Sequence, residues 1–165
     1  MFLIKILILI SMSFNYEYPR ALNTVDAIII SKKENKILLI KRLNEPFKNF
    51  WALPGGFIEM EETLLESVKR EVLEETSLEN IELKEFKFYG DPGRDPRGRT
   101  ITFVYYGYCD SLKLAKAGDD AKELAWFSLN ELPDLAFDHK KIIYDFLISD
   151  RDIWGFCVKN KKNCD

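Results

Sequence analysis

The sequence predicts an α/β domain in which helices flank a mixed β-sheet. Three observations lead there. Runs rich in β-branched and aromatic residues recur along the chain, as in TVDAIIIS (24–31), ILLIKR (37–42) and TITFVYYGYC (100–109). Amphipathic helical stretches fall between and after them, at about 62–77 and 138–149. Some strands are joined by tight polar turns and others by longer crossings, the pattern of a mixed sheet rather than a pure hairpin fold.

Taken in order, TVDAIIIS and ILLIKR read as a hairpin around the polar turn KKENK. NEPFKNFWALPGG reads as a loop, with Pro46, Pro54 and a double glycine. A helix runs from about Glu62 to Ser77. IELKEFKFYG (81–90) is a strand, and DPGRDPRGR (91–99) is a loop set by two prolines and two glycines. TITFVYYGYC and ELAWFSL (123–129) are further strands. DHKKIIYDFLIS (138–149) is an amphipathic helix with Asp138 as its N-cap. The tail from Arg151 shows no period.

The 165 residues suit one domain, and 47% hydrophobic content with 12 Phe, 7 Tyr and 3 Trp supplies a sizeable core. A net charge of −3 argues against broad nucleic-acid binding. The three cysteines, Cys109, Cys157 and Cys164, have no metal-ligand spacing and read as free thiols of a reducing compartment. A single histidine, His139, excludes a His-rich metal site and reads as a helix-start residue. The opening run MFLIKILILI is too short to span a bilayer and lacks the basic n-region of a signal peptide. Residues 1–11 are therefore expected to be a mis-assigned start or a non-essential extension, with a signal or membrane anchor, or an extra strand, as alternatives.

The helix at 62–77 carries the chemistry. At about 100° per residue, Leu64, Leu65, Val68 and Val72 fall in one arc. Glu71 lies at its edge, Glu74 lies further out, and Glu75 falls inside it. A carboxylate in an apolar stripe needs a partner, because burying it alone costs several kcal/mol. Arg70 points elsewhere on the wheel and can pair with Glu66. A divalent cation resolves the conflict: carboxylates at i, i+3 and i+4 converge beside the helix, and their hard oxygens suit Mg²⁺ or Mn²⁺. The preceding LPGGFIEMEE loop adds glycines that let the backbone approach a ligand, and amides that can face an anion.

From Gly56 onward the chain resembles the Nudix hydrolases: Gly56, Glu62, Arg70, Glu71, Val72, Glu74, Glu75, Ser77 and Leu78 follow the family's spacing. One position departs, since the family's last glycine is Ser77. That glycine ends the helix at positive φ, so serine is expected to cost stability more than chemistry. The resemblance covers about residues 18–150, which places a Nudix domain at 12–150, an extension at 1–11 and a tail at 151–165. It implies an α/β/α sandwich around a central mixed sheet, and hydrolysis of a nucleoside diphosphate linked to a group X. It also implies that Glu71, Glu74 and Glu75 bind Mg²⁺ (or Mn²⁺), with the Gly55 carbonyl as a further ligand. Arg70, with Glu66 or Glu62, would orient those ligands.

Arg94, Arg97 and Arg99 share one loop, and an arginine fork suits phosphate. DPRGR before a strand, and LAFDHKKII (135–143), resemble the Nudix subgroup that cleaves ADP-ribose. In the family a late acid completes the site or acts as base. Asp120 in AGDDAKELAWF is the first candidate, before Asp119 and Glu123. Trp51, Tyr105 and Phe127 read as core rather than as base-stacking residues. The expected activity is therefore conversion of ADP-ribose to AMP and ribose 5-phosphate by a cytoplasmic enzyme acting on a small nucleotide. No nucleic-acid or membrane partner is expected, and a homodimer is left open. A hydrolase of damaged nucleoside triphosphates is the second reading. An ADP-ribose-sensing domain is the third, disfavoured by the intact carboxylates and by the lack of chain for a second domain.

Overall fold

The computed structural model describes residues 16–109 and 121–150. Seven strands and two helices follow in the order β1 (Leu22–Ser31), β2 (Lys36–Arg42), β3 (Trp51–Ala52), β4 (Gly55–Phe57), α1 (Leu64–Thr76), β5 (Lys84–Tyr89), β6 (Thr100–Tyr108), β7 (Ala121–Ser128) and α2 (His139–Ser149). The sheet order is β3-β2-β1-β6-β5, with β4 on β1 and β7 on β2. β1 runs parallel to β6 over nine partnered positions, from Leu22↔Thr100 to Ile30↔Tyr108. The β1–β2, β2–β7 and β5–β6 pairs are antiparallel. The sheet is mixed, as expected.

Side chains alternate across a strand, so β1 feeds two cores. Val25, Ala27 and Ile29 meet Val68 and Val72 of α1 on one face. Ile28 and Ile30 meet Ile142, Ile143, Phe146 and Leu147 of α2 on the other. Asp26 belongs by parity to the α2 face, and this places it in the site described below.

Several boundaries move. Helix α1 starts at Leu64 rather than Glu62, because Thr63 caps it. The Thr63 side chain accepts from the Glu66 N–H, and Glu66 accepts from the Thr63 N–H in return. Leu65, expected in the buried stripe, is exposed, while Ser67 and Thr76 are buried beside Val68 and Val72. β5 begins at Lys84 rather than Ile81. The loop before α1 contains β3 and β4, whose two and three residues are too short for any periodicity. Residues 1–11, Asp119, Asp120, Cys157 and Cys164 lie outside the described residues. No described helix is long and apolar enough to cross a membrane.

Candidate active site

The site forms where β4 lies against the first residues of β1, with Thr24↔Phe57, Val25↔Gly56 and Asp26↔Gly55 in register. Two adjacent glycines leave β4 without Cβ atoms at positions 55 and 56. A Cβ on Gly56 would lie 2.3 Å from Glu71 Oε1. One on Gly55 would lie 2.1 Å from the Val25 carbonyl and 2.8 Å from Asp26 Oδ1. The bare strand thus lets α1 carboxylates press on one side of it and an arginine-lined cleft on the other.

On the α1 side, Glu75 is 8% exposed and its Oε2 accepts the Gly55 N–H at 2.8 Å. Its position in the apolar stripe was legible from the wheel. Arg70 does not pair with Glu66, which the helix cap consumes. Its Nε donates to Glu62 at 2.8 Å, and one terminal nitrogen to Glu71 Oε1 at 2.7 Å and Glu74 Oε2 at 3.2 Å. The other donates to the Phe57 carbonyl at 3.0 Å. The Glu62 hydrogen bond, more than the bonds to Glu71 and Glu74, raises the Arg70 pKa and keeps the group charged. The same bond lowers the Glu62 pKa.

The expected convergence of Glu71, Glu74 and Glu75 is not reached. Among the described residues, no three acidic, histidine or cysteine side chains gather into a metal cage. One Arg70 nitrogen bridges Glu71 and Glu74, while Glu75 turns to the Gly55 amide. The donor set still fits a hard divalent cation: three carboxylates from one helix, two of them pressed on a strand that has no side chains in the way.

On the α2 side a cleft of about 140 Å³ is lined by Asp26, Arg42, Gly55, Gly56, Arg94, Arg97 and His139, among others. The three loop arginines divide. Arg94 is buried and bound by its fork to Asp138, at 3.0 and 2.7 Å. Asp138 thus precedes α2 as expected, but its side chain makes no capping bond. Burial alone would lower the Arg94 pKa, and Asp138 overrides it and raises it. Arg97 is held by buried Asp95 at 2.7 Å, and its guanidinium lies 5.0 Å from the Phe57 ring and 5.4 Å from the Phe137 ring. Burial pushes the Asp95 carboxyl up, but bonds from Arg97 outweigh it and hold it low. Arg99 is exposed and gives its carbonyl to the Leu22 N–H.

Sequence reasoning missed Arg42, Asp26 and the part played by His139. Arg42 lies 4.7 Å from the Phe137 ring and donates to the carbonyls of Pro46 and Asn44. Burial, then the charge of Arg97, lowers its pKa. Two guanidinium groups repelling each other over one aromatic ring favour an anion between them. His139 is 4% exposed and its Nδ1 accepts the Leu53 N–H at 2.9 Å. Its Nε2 therefore carries the proton of the neutral ring and faces Asp26 Oδ1 at 3.6 Å. Burial lowers the His139 pKa against the opposing pull of Asp26. Glu123 is ion-paired with Lys41 at 3.0 Å. Trp51 and Phe127 pack edge to face beside the core, and Tyr105 is buried.

The NUDIX domain model matches residues 21–146. The ADP-ribose pyrophosphatase of Methanocaldococcus jannaschii is 54% identical over 123 residues, which are 74% of this chain and 71% of that protein. The NUDIX domain of Shewanella oneidensis NrtR, solved with ADP ribose, superposes with a TM-score of 0.74 at 30% identity, covering 82% of this chain and 94% of that one. A bifunctional NMN adenylyltransferase/ADP ribose pyrophosphatase from Francisella tularensis, solved with AMP and a Mn ion, gives 0.71 at 34% identity, covering 81% of this chain and 43% of that one. The carboxylate helix on its two-glycine strand and these likenesses agree, and the chain belongs to the Nudix hydrolase family.

Proposed function

We propose that the protein hydrolyses the pyrophosphate bond of ADP-ribose, adding water to give AMP and ribose 5-phosphate. The observation that carries this is the bare Gly55–Gly56 strand, with metal-type carboxylates on one side and an arginine cleft on the other. A diphosphate lying over it can meet both. The name of the M. jannaschii relative and the ligands of the two solved neighbours support the same substrate.

Glu71, Glu74, Glu75 and the Gly55 carbonyl would hold the divalent cation, Mg²⁺ before Mn²⁺, which neutralises diphosphate charge and lowers the pKa of water when bound. Arg70 orients Glu71 and Glu74 through one terminal nitrogen. Arg42 and Arg97 hold the diphosphate; Arg94 serves by fixing the loop to α2 through Asp138. Asp120 is the proposed base that takes the proton of the attacking water.

The test is a substrate panel with product identification. Release of AMP and ribose 5-phosphate from ADP-ribose, with slower turnover of nucleoside triphosphates, is the expected result. Pyrophosphate release from triphosphates at the higher rate would replace this reading with the sanitising one. Metal-dependent binding of ADP-ribose without turnover would replace it with a sensor.

A further inference from the structure

The arginine cleft contains a feature that diphosphate binding does not explain. Asp26 is 7% exposed and lines the same cleft as Arg42 and Arg97. A carboxylate there repels the anion that those arginines attract. The charges of Arg94 and Arg42 offset its own, and its remaining acceptor positions still call for hydrogen-bond donors. Its own partners leave room for one. Thr102 Oγ1 donates to Oδ2 at 2.6 Å, and His139 Nε2 stands 3.6 Å from Oδ1, beyond a good hydrogen bond. A carboxylate has about four acceptor positions, and one strong donor occupies one of them. Gly55 keeps the approach to Oδ1 open, since a Cβ there would lie 2.8 Å away. The side chain is also fixed in aim: Thr102 holds it from β6, and His139 is anchored by the Leu53 amide.

We propose that Asp26 is the specificity residue for X. Its carboxylate accepts hydrogen bonds from the hydroxyl groups of a sugar and repels an X that carries further negative charge at that place. The inference rests on the diphosphate reading above and narrows it. A nucleoside diphosphate joined to a neutral polyol is accepted, whereas a third phosphate in the same position is turned away.

Two measurements test it. The first compares kcat/KM for ADP-ribose and ATP in the native protein and in Asp26→Asn, which keeps the shape and removes the charge. The expected result is a fall of about 10-fold or more for ADP-ribose, as for loss of a hydrogen bond to a charged group. ATP should hold steady or improve, so that discrimination collapses. An equal fall for both substrates would show that Asp26 only supports Thr102 and His139, and would overturn the proposal, as would no change. The second uses the native protein alone and measures binding of ribose 5-phosphate and 2-deoxyribose 5-phosphate by calorimetry. Tighter binding of the fully hydroxylated sugar is expected, and equal binding overturns the proposal even if the variant does not fold. If the native protein leaves ADP-ribose intact while still preferring the hydroxylated sugar, and Asp26→Asn loses that preference, the proposed activity fails and the role of Asp26 stands.

Discussion

Replacing Glu75 by glutamine keeps an oxygen for the Gly55 amide at the position where Oε2 now accepts it, so the fold should survive. What disappears is one negative charge beside β4. If that charge holds a cation, kcat should fall by about 10²-fold or more, and the metal concentration needed for half-maximal rate should rise. A kinetic titration with Mg²⁺ and Mn²⁺ checks this, and a variant with native kcat would remove Glu75 from the metal site. Ser77 offers the opposite kind of test. It occupies the left-handed region at φ 54, ψ 21, where its amide bonds back to the Leu73 carbonyl. A β-carbon there costs about 1 kcal/mol, so Ser77→Gly should stabilise the protein by about that amount in urea denaturation and leave KM unchanged. Glu75 was legible in the sequence because helix periodicity is local, and Ser77 through the family glycine whose place it takes. Asp26 was not. A lone charged residue inside TVDAIIIS carries no signal of its own, and its partners Thr102 and His139 lie far along the chain.

Helix α1 depends on its first turn as well as its buried face. The reciprocal Thr63–Glu66 cap satisfies amides that no helical carbonyl can reach. Thr63→Ala should cost about 1 kcal/mol of stability, and it should free Glu66 to compete with Glu62 for Arg70. A thermal melt measures the first effect, and altered metal affinity would report the second. The arginine loop behaves as two parts. Arg94 belongs to the scaffold through an ion pair that spans 44 residues, a distance at which sequence reasoning cannot assign partners. Arg97 faces the cleft. Arg97→Ala should raise KM for ADP-ribose so that kcat/KM falls about 10-fold or more, and it should also lower the melting temperature, since Asp95 is left buried without its fork. Arg97→Lys should recover the stability better than the KM, because lysine keeps the charge and lacks the planar geometry.

For the molecule as a whole, pH divides stability into two windows. Buried His139 has a lowered pKa, so the unfolded chain takes up its proton first, near pH 6.5. As pH falls through that value the unfolded state binds more protons, and stability declines. Asp95 and Asp145 have lowered pKa values through their Arg97, Tyr89 and Lys141 partners, which outweigh the opposing effect of burial. Their contribution is present above about pH 4 and is lost below it. Chemical denaturation between pH 7.5 and 3 should therefore show an early decline that His139→Asn removes and a later one that it leaves in place. The fold class itself was legible because strands of seven to ten residues and two amphipathic helices carry enough period to be counted. The central parallel β1–β6 pair was not, since nothing local in either strand names the other. That pairing has a consequence for biogenesis. On the ribosome, β1 emerges 78 residues before Thr100, the partner of Leu22. At about 5–20 residues per second, Val25 to Ile30 would wait some seconds for their neighbour. Until then they form an open, apolar strand edge, the kind of nascent segment that chaperones hold.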